Sequence, residues 1–270
     1  MTKVIEAQFR EWKPDHKKQK AQNLSDPINE DVIVIDKEHQ TVVLAQLSLP
    51  TELEATTKKV QQIMRHKMKW GNLDSARLSG IISSNRVFGT LAPEKLRQRY
   101  LCTKTNLDKE QPELIKLLET LAINNYDLFK SIDKHRASEH EKIVTDAVHP
   151  DWLFAGTPFT SGVINYSSAL PYHKDRGNFV GSWSMMLSLR KDISGGYLHL
   201  PEYDLLLGVP NNSVTIFNGQ AFWHGVTPMV VKKKDAYRFT IVWYAKTKVH
   251  SCGCKENEMQ RAAKEASRSL

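Results

Sequence analysis

The spacing of apolar residues changes character past the middle of the 270-residue chain. Two short apolar runs, at 31–36 and 41–47, predict a β-hairpin, and the next hundred residues place their apolar side chains mainly at helical spacing. From Phe159 onward the apolar runs are short and alternate with turn-forming pairs such as Gly195-Gly196 and Asn218-Gly219. We therefore expect a largely helical first half and a β-rich second half.

Three helices are predicted in the first half. One follows Pro50, where the Thr51–Glu54 spacing is typical of a capping box, and one begins at Pro112 with leucines on a single face. A third is expected from a second capping box at Ser138–Glu141. Residues 71–111 predict a partly strand-like insertion.

Seven strands are predicted in the second half: Ser161–Tyr166, Ser182–Leu189, Gly196–Leu200, Asp204–Leu207, Ser213–Phe217, Trp223–Val231 and Tyr237–Tyr244. Closely spaced short strands favour a double-stranded β-helix, the jelly-roll or cupin-like architecture. The predicted fold class is α+β, with a jelly-roll core braced by N-terminal helices.

The predicted domain organisation has three parts. Residues 1–30 are polar and lysine-rich and predict a basic, mobile arm. Residues 31–250 predict one domain, with a helical and insertion half at 31–150 and the jelly-roll core at 157–246. Residues 251–270 predict a polar, helical tail.

Composition narrows the class of protein. The net charge of +8 and the pI near 9.2 are compatible with a polyanionic partner such as DNA, without being decisive. The chain has no apolar stretch of membrane length and begins with no apolar signal region, so an intracellular, soluble protein without a membrane partner is expected. We also expect a monomer without a protein partner.

Three cysteines argue against a disulfide framework and fit a reducing compartment. Cys102, His250, Cys252 and Cys254 are enough soft ligands for a zinc site. The close C-x-C spacing is unusual for such a site, so ordinary free thiols are the favoured interpretation.

A candidate metal site lies in the β-rich half. His173 and Asp175 form an H-x-D pair, whose side chains point the same way in an extended segment, and His224 supplies a third ligand. Two imidazoles and one carboxylate leave coordination positions open, an arrangement that suits non-haem Fe(II) and O₂ chemistry. The alternative is a β-barrel whose histidines only form hydrogen bonds.

Arg238 follows fourteen residues after His224, at the start of the last predicted strand. Its guanidinium group is suited to binding the far carboxylate of a 2-oxoglutarate co-substrate. Asn165 could also contact 2-oxoglutarate, although a strand asparagine is as often structural.

From Thr157 through Tyr244 the chain resembles the TET/JBP branch of the Fe(II)/2-oxoglutarate dioxygenases, and in particular its compact microbial, fungal or phage-type members. Those enzymes hydroxylate the 5-methyl group of a pyrimidine in DNA. The resemblance implies that His173, Asp175 and His224 bind iron and that Arg238 binds 2-oxoglutarate. It also implies that Asn178 reads a flipped-out base and that Tyr244 packs on it.

The chain departs from the family pattern two residues beyond Tyr244. Animal and amoeboid members have a base-contacting histidine there, whereas this chain has Lys246, which can only donate hydrogen bonds. The preferred pyrimidine is therefore left open. Lys232, Lys233 and Lys234 are candidate phosphate contacts, with a solvated hairpin tip as the alternative.

The function that these features imply is oxidation of 5-methylcytosine in DNA to 5-hydroxymethylcytosine, acting on a flipped-out base, with Fe(II), 2-oxoglutarate and O₂. Further oxidation, sequence context and strand preference stay open. The alternatives are a thymine hydroxylase on DNA, a protein side-chain hydroxylase of the same fold, and a catalytically silent cupin-like DNA-binding module. Intact metal ligands and Arg238 speak against the silent module.

Overall fold

The structure is a computed structural model and describes residues 2–22, 25–70, 84–94, 96 and 98–268. Residues 71–83 of the predicted insertion lie outside the described residues. The chain forms two compact units. The first unit comprises Met1–Arg86, Val163–Arg176 and Trp183–Val242, and the second comprises Val87–Gly162, Gly177–Ser182 and Trp243–Leu270. The sequence predicted a single domain over 31–250. The structure instead divides the chain into two units, and the segments of the two units alternate along the sequence.

The strands are β1 (Lys3–Ala7), β2 (Val32–Asp36), β3 (Val42–Ser48), β4 (Ser84–Leu91), β5 (Thr103–Lys104), β6 (Ser161–Tyr166), β7 (Ser184–Lys191), β8 (Ile193–Gly195), β9 (Leu198–Leu200), β10 (Leu205–Leu207), β11 (Ser213–Phe217), β12 (Gly225–Val226), β13 (Met229–Val231) and β14 (Tyr237–Tyr244). The helices are α1 (Glu54–His66), α2 (Asn106–Glu110), α3 (Pro112–Ile132), α4 (Lys134–Thr145) and α5 (Lys255–Arg268). The bounds of β6, β11 and β14 are those predicted, whereas the predicted strand Trp223–Val231 is divided into β12 and β13.

The first unit is built on a mixed sheet with the strand order β1-β2-β3-β11-β7-β14-β6. The predicted hairpin of β2 and β3 is confirmed, since the two strands pair antiparallel. Smaller sheets pair β9 with β10 and β12, and β13 with β8. A buried apolar cluster fills this unit, with members including Val32, Val34, Leu44, Leu198 and Leu207.

The prediction that residues 1–30 form a mobile arm is wrong, since part of this stretch is a strand. Strand β1 pairs in parallel with β2, in the register Lys3 with Val32 to Ala7 with Asp36. Further along, the ring of Phe9 packs on Tyr203, with 5.5 Å between ring centroids. Strand β1 and Phe9 thus have partners in this unit, which the polar average composition of the stretch does not indicate.

The second unit contains α2 to α5, together with the parts of β4, β6 and β14 that fall within its ranges, and β5 pairs antiparallel with β4. The predicted face of α3 is buried, including Leu114, Leu118, Leu121 and Phe129. The two predicted capping boxes are wrong. A short 3₁₀ turn without a side-chain cap occupies Thr51–Leu53, and α4 begins earlier, where the Asp133 carboxylate accepts the Arg136 N–H at 3.0 Å.

Cys102 and Cys252 form a disulfide within the second unit, with a Cα–Cα distance of 5.8 Å. The expectation of free thiols is therefore wrong for these two residues, and Cys254 is the free cysteine. A disulfide sulfur is not a thiolate ligand, so the four candidate zinc ligands do not form the site considered above. The Glu258 carboxylate accepts the N–H groups of Cys102 and Gly253 at 3.0 and 3.1 Å and fixes the start of α5 beside the disulfide.

Among the residues that the structure describes, no helix combines the length and the apolar character needed to cross a membrane.

Candidate metal centre

The main chain brings the two candidate histidine ligands face to face. His173 and His224 form an isolated antiparallel bridge, in which each N–H donates to the other's carbonyl oxygen, at 2.9 and 3.0 Å. The Asp175 N–H donates to the carbonyl oxygen of Gly219 at 2.8 Å. Two chain segments far apart in sequence are thus joined at all three candidate ligands.

The ligand atoms lie close enough to share one ion. His173 Nε2 is 3.6 Å from Asp175 Oδ1, and His224 Nε2 is 3.9 Å from Asp175 Oδ2. One ligand atom from each residue lies within 4.8 Å of the others. Atoms about 2 Å from a shared metal ion have separations of this size. The three predicted ligands therefore form a group that could hold a metal ion.

Both imidazoles are oriented by hydrogen bonds through their other ring nitrogen. His173 Nδ1 lies 2.8 Å from the carbonyl oxygen of Pro171, and His224 Nδ1 lies 3.1 Å from that of Phe222. A carbonyl only accepts, so each Nδ1 donates a proton to it, and Nε2 is the ring nitrogen left to face a metal ion. Burial, and then the neighbouring His173, lower the pKa of His224 to about 4, which keeps this imidazole neutral at physiological pH.

Gly219 leaves room for the Asp175 carboxylate. A Cβ at Gly219 would lie 2.5 Å from Asp175 Oδ2, a separation shorter than van der Waals contact. The carboxylate sits at the end of a short flexible side chain, so a methyl group there would displace the ligand oxygen before it disturbed the backbone.

We therefore expect Gly219→Ala to weaken metal binding by roughly tenfold or more, the range reported for changes around ligands, with little change in melting temperature. Titration with Co(II) would measure the metal affinity, and thermal unfolding would measure the melting temperature. Gly177→Ala is the matched control, because a Cβ there meets nothing within 4 Å. Equal metal affinity in the two variants would contradict this role of Gly219.

Two residues that the sequence did not single out connect the ligand segments. Lys174, between the two ligands of the H-x-D pair, donates from Nζ to Glu202 Oε1 at 3.3 Å and to the carbonyl oxygen of Ala221 at 2.5 Å. Glu202 Oε2 accepts the Trp223 N–H at 2.7 Å. Glu202 is buried, and burial raises its pKa. No local sequence signal marks Glu202, since its role depends on contacts with residues 28 positions before it and 21 positions after it.

Arg238 is a buried cation in the same unit as the candidate ligands. Its side chain is 1% exposed, and neither Nε nor Nη2 has a hydrogen-bond partner among the residues that the structure describes. Burial, and then Arg190, lower the pKa of Arg238 to about 9, so it is still charged at neutral pH. A buried charge without partners is costly, and a carboxylate placed against the guanidinium group would remove that cost.

The surroundings of Arg238 are shaped around its side chain. A Cβ at Gly196 would lie 2.8 Å from both Cδ and Nε of Arg238, so only glycine fits there. Arg190, by contrast, donates to the carbonyl oxygens of Gly208, Ile193 and Gly195 at 2.9, 2.8 and 2.6 Å. Of these two arginines, Arg238 is the one with buried donors that have no partner among the described residues.

Two other predicted contacts have structural partners. Asn165, on β6, donates from Nδ2 to Thr240 Oγ1 at 3.4 Å. Lys232, Lys233 and Lys234 follow β13 and are exposed, and Lys233 pairs with Asp192 at 3.4 Å. Exposed lysines are compatible with either a phosphate contact or a solvated hairpin tip.

The second unit brings together Asn178 and Tyr244, which the resemblance implied for base recognition, and Lys246, where the chain departs from the family pattern. Asn178 and Lys246 form an isolated antiparallel bridge, and Tyr244 lies two residues before Lys246. The Tyr244 carbonyl oxygen accepts the Thr160 N–H at 3.1 Å, and Thr160 Oγ1 accepts the Lys246 N–H at 3.0 Å. Asn178 is 8% exposed. Residues separated by more than sixty positions thus meet at one place in this unit.

No protein-family model matches the chain. The chain is 24% identical over 205 residues to thymine dioxygenase JBP1 of Trypanosoma brucei brucei, a match that covers 74% of this chain and 24% of JBP1. The chain thus spans about a quarter of the length of that relative.

The structure is similar to that of NgTET1 in complex with 5mC DNA, with a TM-score of 0.61 and 17% sequence identity, covering 97% of this chain and 90% of that one. The shared fold confirms the predicted α+β class with a jelly-roll core. Together, the two likenesses confirm the resemblance to the TET/JBP family that the sequence indicated.

Proposed function

We propose that this chain is an Fe(II)- and 2-oxoglutarate-dependent dioxygenase that hydroxylates the 5-methyl group of a pyrimidine in DNA, with 5-methylcytosine as the first candidate substrate. The observation that carries the proposal is the His173, Asp175 and His224 group in the same unit as a buried Arg238 with unpaired donors. The two similar proteins differ in the pyrimidine: JBP1 is a thymine dioxygenase, and NgTET1 is in complex with 5mC DNA. Thymine is accordingly the second candidate.

The donor set fits the proposed metal. Two imidazoles and one carboxylate, with no fourth protein ligand in the described group, leave coordination positions open for a co-substrate and O₂. Bound iron and 2-oxoglutarate would supply the oxidising chemistry that converts a methyl C–H bond to C–OH, with succinate and CO₂ as co-products. The hydrogen bonds to Pro171 and Phe222 keep both Nε2 atoms aimed at the ion.

Arg238 is proposed to bind the distal carboxylate of 2-oxoglutarate. A guanidinium group can donate two parallel hydrogen bonds to a carboxylate, and its buried position strengthens them. A small dicarboxylate matches the available donors better than a DNA phosphate does, because Arg238 is buried whereas phosphate contacts are made at the surface.

An enzyme cannot reach a methyl group inside a stacked duplex, so the target base must leave the stack. Asn178 is proposed to hydrogen-bond the base, since its amide both donates and accepts, and Tyr244 is proposed to stack on it. Lys246 and the exposed Lys232, Lys233 and Lys234 would bind phosphate or base oxygen atoms. The net charge of +8 supports this general attraction to DNA.

The direct test is to incubate the protein with Fe(II), 2-oxoglutarate and DNA duplexes of three kinds, and to measure nucleosides by mass spectrometry. The duplexes would contain 5-methylcytosine, only unmodified cytosine and thymine, or uracil in place of thymine with no methylated base. Hydroxymethylcytosine from the first duplex supports the leading proposal, and hydroxymethyluracil from the second identifies a thymine hydroxylase. If a protein substrate stimulates succinate formation and no duplex yields an oxidised base, both DNA proposals are refuted. The chain would then be a protein side-chain hydroxylase.

Asn178→Ala and Tyr244→Ala are expected to reduce oxidised base by roughly tenfold or more each, as for loss of a stacking or base-edge contact. Decarboxylation of 2-oxoglutarate without base oxidation should persist, because neither residue belongs to the metal group. Tyr244→Phe is the matched control, since it retains the ring and should retain most base oxidation. Measuring succinate and oxidised base in parallel separates the two effects, and equal loss of both would refute base recognition by these residues.

A further inference from the structure

The segment from Phe9 to Ala21, called here the N-terminal strap, runs along the chain segments that carry the candidate ligands. The Arg10 N–H donates to the carbonyl oxygen of Glu202 at 2.7 Å, and the carbonyl oxygen of Gln19 accepts the Tyr172 N–H at 3.0 Å. The strap lies in the part of the chain expected to be a mobile arm, and the proposed reaction so far assigns it no role.

The end of the strap is also close to a ligand segment. Ala21 is 1% exposed, and a Cβ at Gly225, the residue after His224, would lie 3.0 Å from the Cβ of Ala21. The strap and the His224 segment are therefore in close packing contact rather than separated by solvent.

Trp12, in the middle of the strap, packs on the residue that precedes each histidine ligand. Its ring centroid is 4.6 Å from that of Tyr172, which precedes His173, and 6.3 Å from that of Trp223, which precedes His224. Both contacts are edge-to-face, a favourable arrangement for aromatic pairs. One indole thus contacts both ligand segments.

The peptide groups at Tyr172 and Trp223 are the ones that orient the imidazoles. His173 Nδ1 donates to the carbonyl oxygen of Pro171, which is part of the peptide group that joins Pro171 to Tyr172. His224 Nδ1 donates to the carbonyl oxygen of Phe222, which is part of the peptide group that joins Phe222 to Trp223. A peptide group is planar, so fixing its N–H also fixes its carbonyl.

The N–H groups of Tyr172 and Trp223 both have hydrogen-bond partners that are connected to the strap. The Tyr172 N–H donates to Gln19 of the strap itself. The Trp223 N–H donates to the carboxylate of Glu202, whose own carbonyl oxygen accepts the Arg10 N–H of the strap. Lys174, with Nζ 5.6 Å from the Trp223 ring centroid, adds a cation–π contact to the same ring.

We infer that Trp12 is a positioning residue for the metal centre, which acts through Tyr172 and Trp223 to hold the two imidazoles at ligand geometry. The inference rests on the metal centre of the proposed function, and it assigns Trp12, rather than every residue of the strap, a role in metal affinity. Residues that orient ligands in this way typically change metal affinity by roughly 10–100-fold when they are removed.

The test measures Co(II) binding by titration calorimetry and by the ligand-field absorption of the Co(II) protein, without DNA or 2-oxoglutarate. Trp12→Ala should raise the Kd for Co(II) by roughly tenfold or more and alter the absorption spectrum at saturating metal. Phe9→Ala is the control, because it removes another aromatic ring of the strap whose ring contact is to Tyr203. We expect this control to leave the Kd and the spectrum unchanged.

Trp12→Phe, with a smaller ring, should give an intermediate Kd and keeps the inference testable if Trp12→Ala does not fold. Wild-type Kd and spectrum in a folded Trp12 variant would overturn the inference, as would equal effects of the Trp12 and Phe9 substitutions. Absence of Co(II) binding by the wild-type protein would instead refute the metal centre, and with it the proposed function. The two failures are therefore distinguishable.

Discussion

Replacing Asp175 with alanine is expected to abolish turnover of 2-oxoglutarate while the protein stays folded. Asp175 is the only anion of the candidate group, and its two oxygens face one imidazole each, at 3.6 and 3.9 Å. Without it, two imidazoles would have to hold a divalent cation alone. Since changes that only affect groups around ligands already cost roughly 10–100-fold in metal affinity, loss of a ligand should cost at least about 100-fold.

Metal titration and succinate formation would measure this effect, and thermal unfolding would establish that the variant folds. Asp26→Ala, which removes an exposed carboxylate from the same unit, is the control and should behave as wild type. Full turnover in folded Asp175→Ala would show that the metal centre lies elsewhere or does not exist.

Replacing Arg238 with lysine is expected to raise the concentration of 2-oxoglutarate needed for half-maximal turnover by on the order of 100-fold, or about 2.7 kcal/mol of binding free energy. Lysine keeps a positive charge but loses the planar pair of donors that matches a carboxylate. The unpaired Nε and Nη2 of Arg238 are the donors that the substitution removes. Affinity for DNA should change little, because Arg238 is buried.

Arg190→Lys is an informative comparison for this prediction. Arg190 donates to three carbonyl oxygens, so its replacement should lower the melting temperature more than it changes the co-substrate requirement. Arg238→Lys could instead weaken DNA binding and leave the concentration of 2-oxoglutarate for half-maximal turnover unchanged. In that case Arg238 would belong to the phosphate-binding residues.

Local patterns in the sequence predicted much of the first unit's sheet and its candidate ligands. Strand β14 has the predicted bounds because all of its residues after Arg238 are aromatic or β-branched. His173 and Asp175 were identifiable because two ligands two residues apart form a motif within a single segment. His224 and Arg238 could be assigned as a metal ligand and a co-substrate contact because they follow that motif in this order along the chain.

Contacts between distant segments were not predictable in the same way. The pairing of Cys102 with Cys252 joins residues 150 positions apart, and no spacing rule identifies such a pair. The N-terminal strap has a polar average composition, and its packing depends on a few aromatic residues, notably Trp12. Glu202 has no recognisable motif, because its partners come from three other segments.

The disulfide encloses the chemically important part of the chain. His173, Asp175, His224 and Arg238 all lie between Cys102 and Cys252 in sequence. A protease that cuts once within this stretch, for example in the exposed lysine run at 232–234, would leave two polypeptides covalently joined. Such a nicked molecule would migrate as an intact chain until a reductant separated the fragments, so purity and limited proteolysis are best judged with and without reduction.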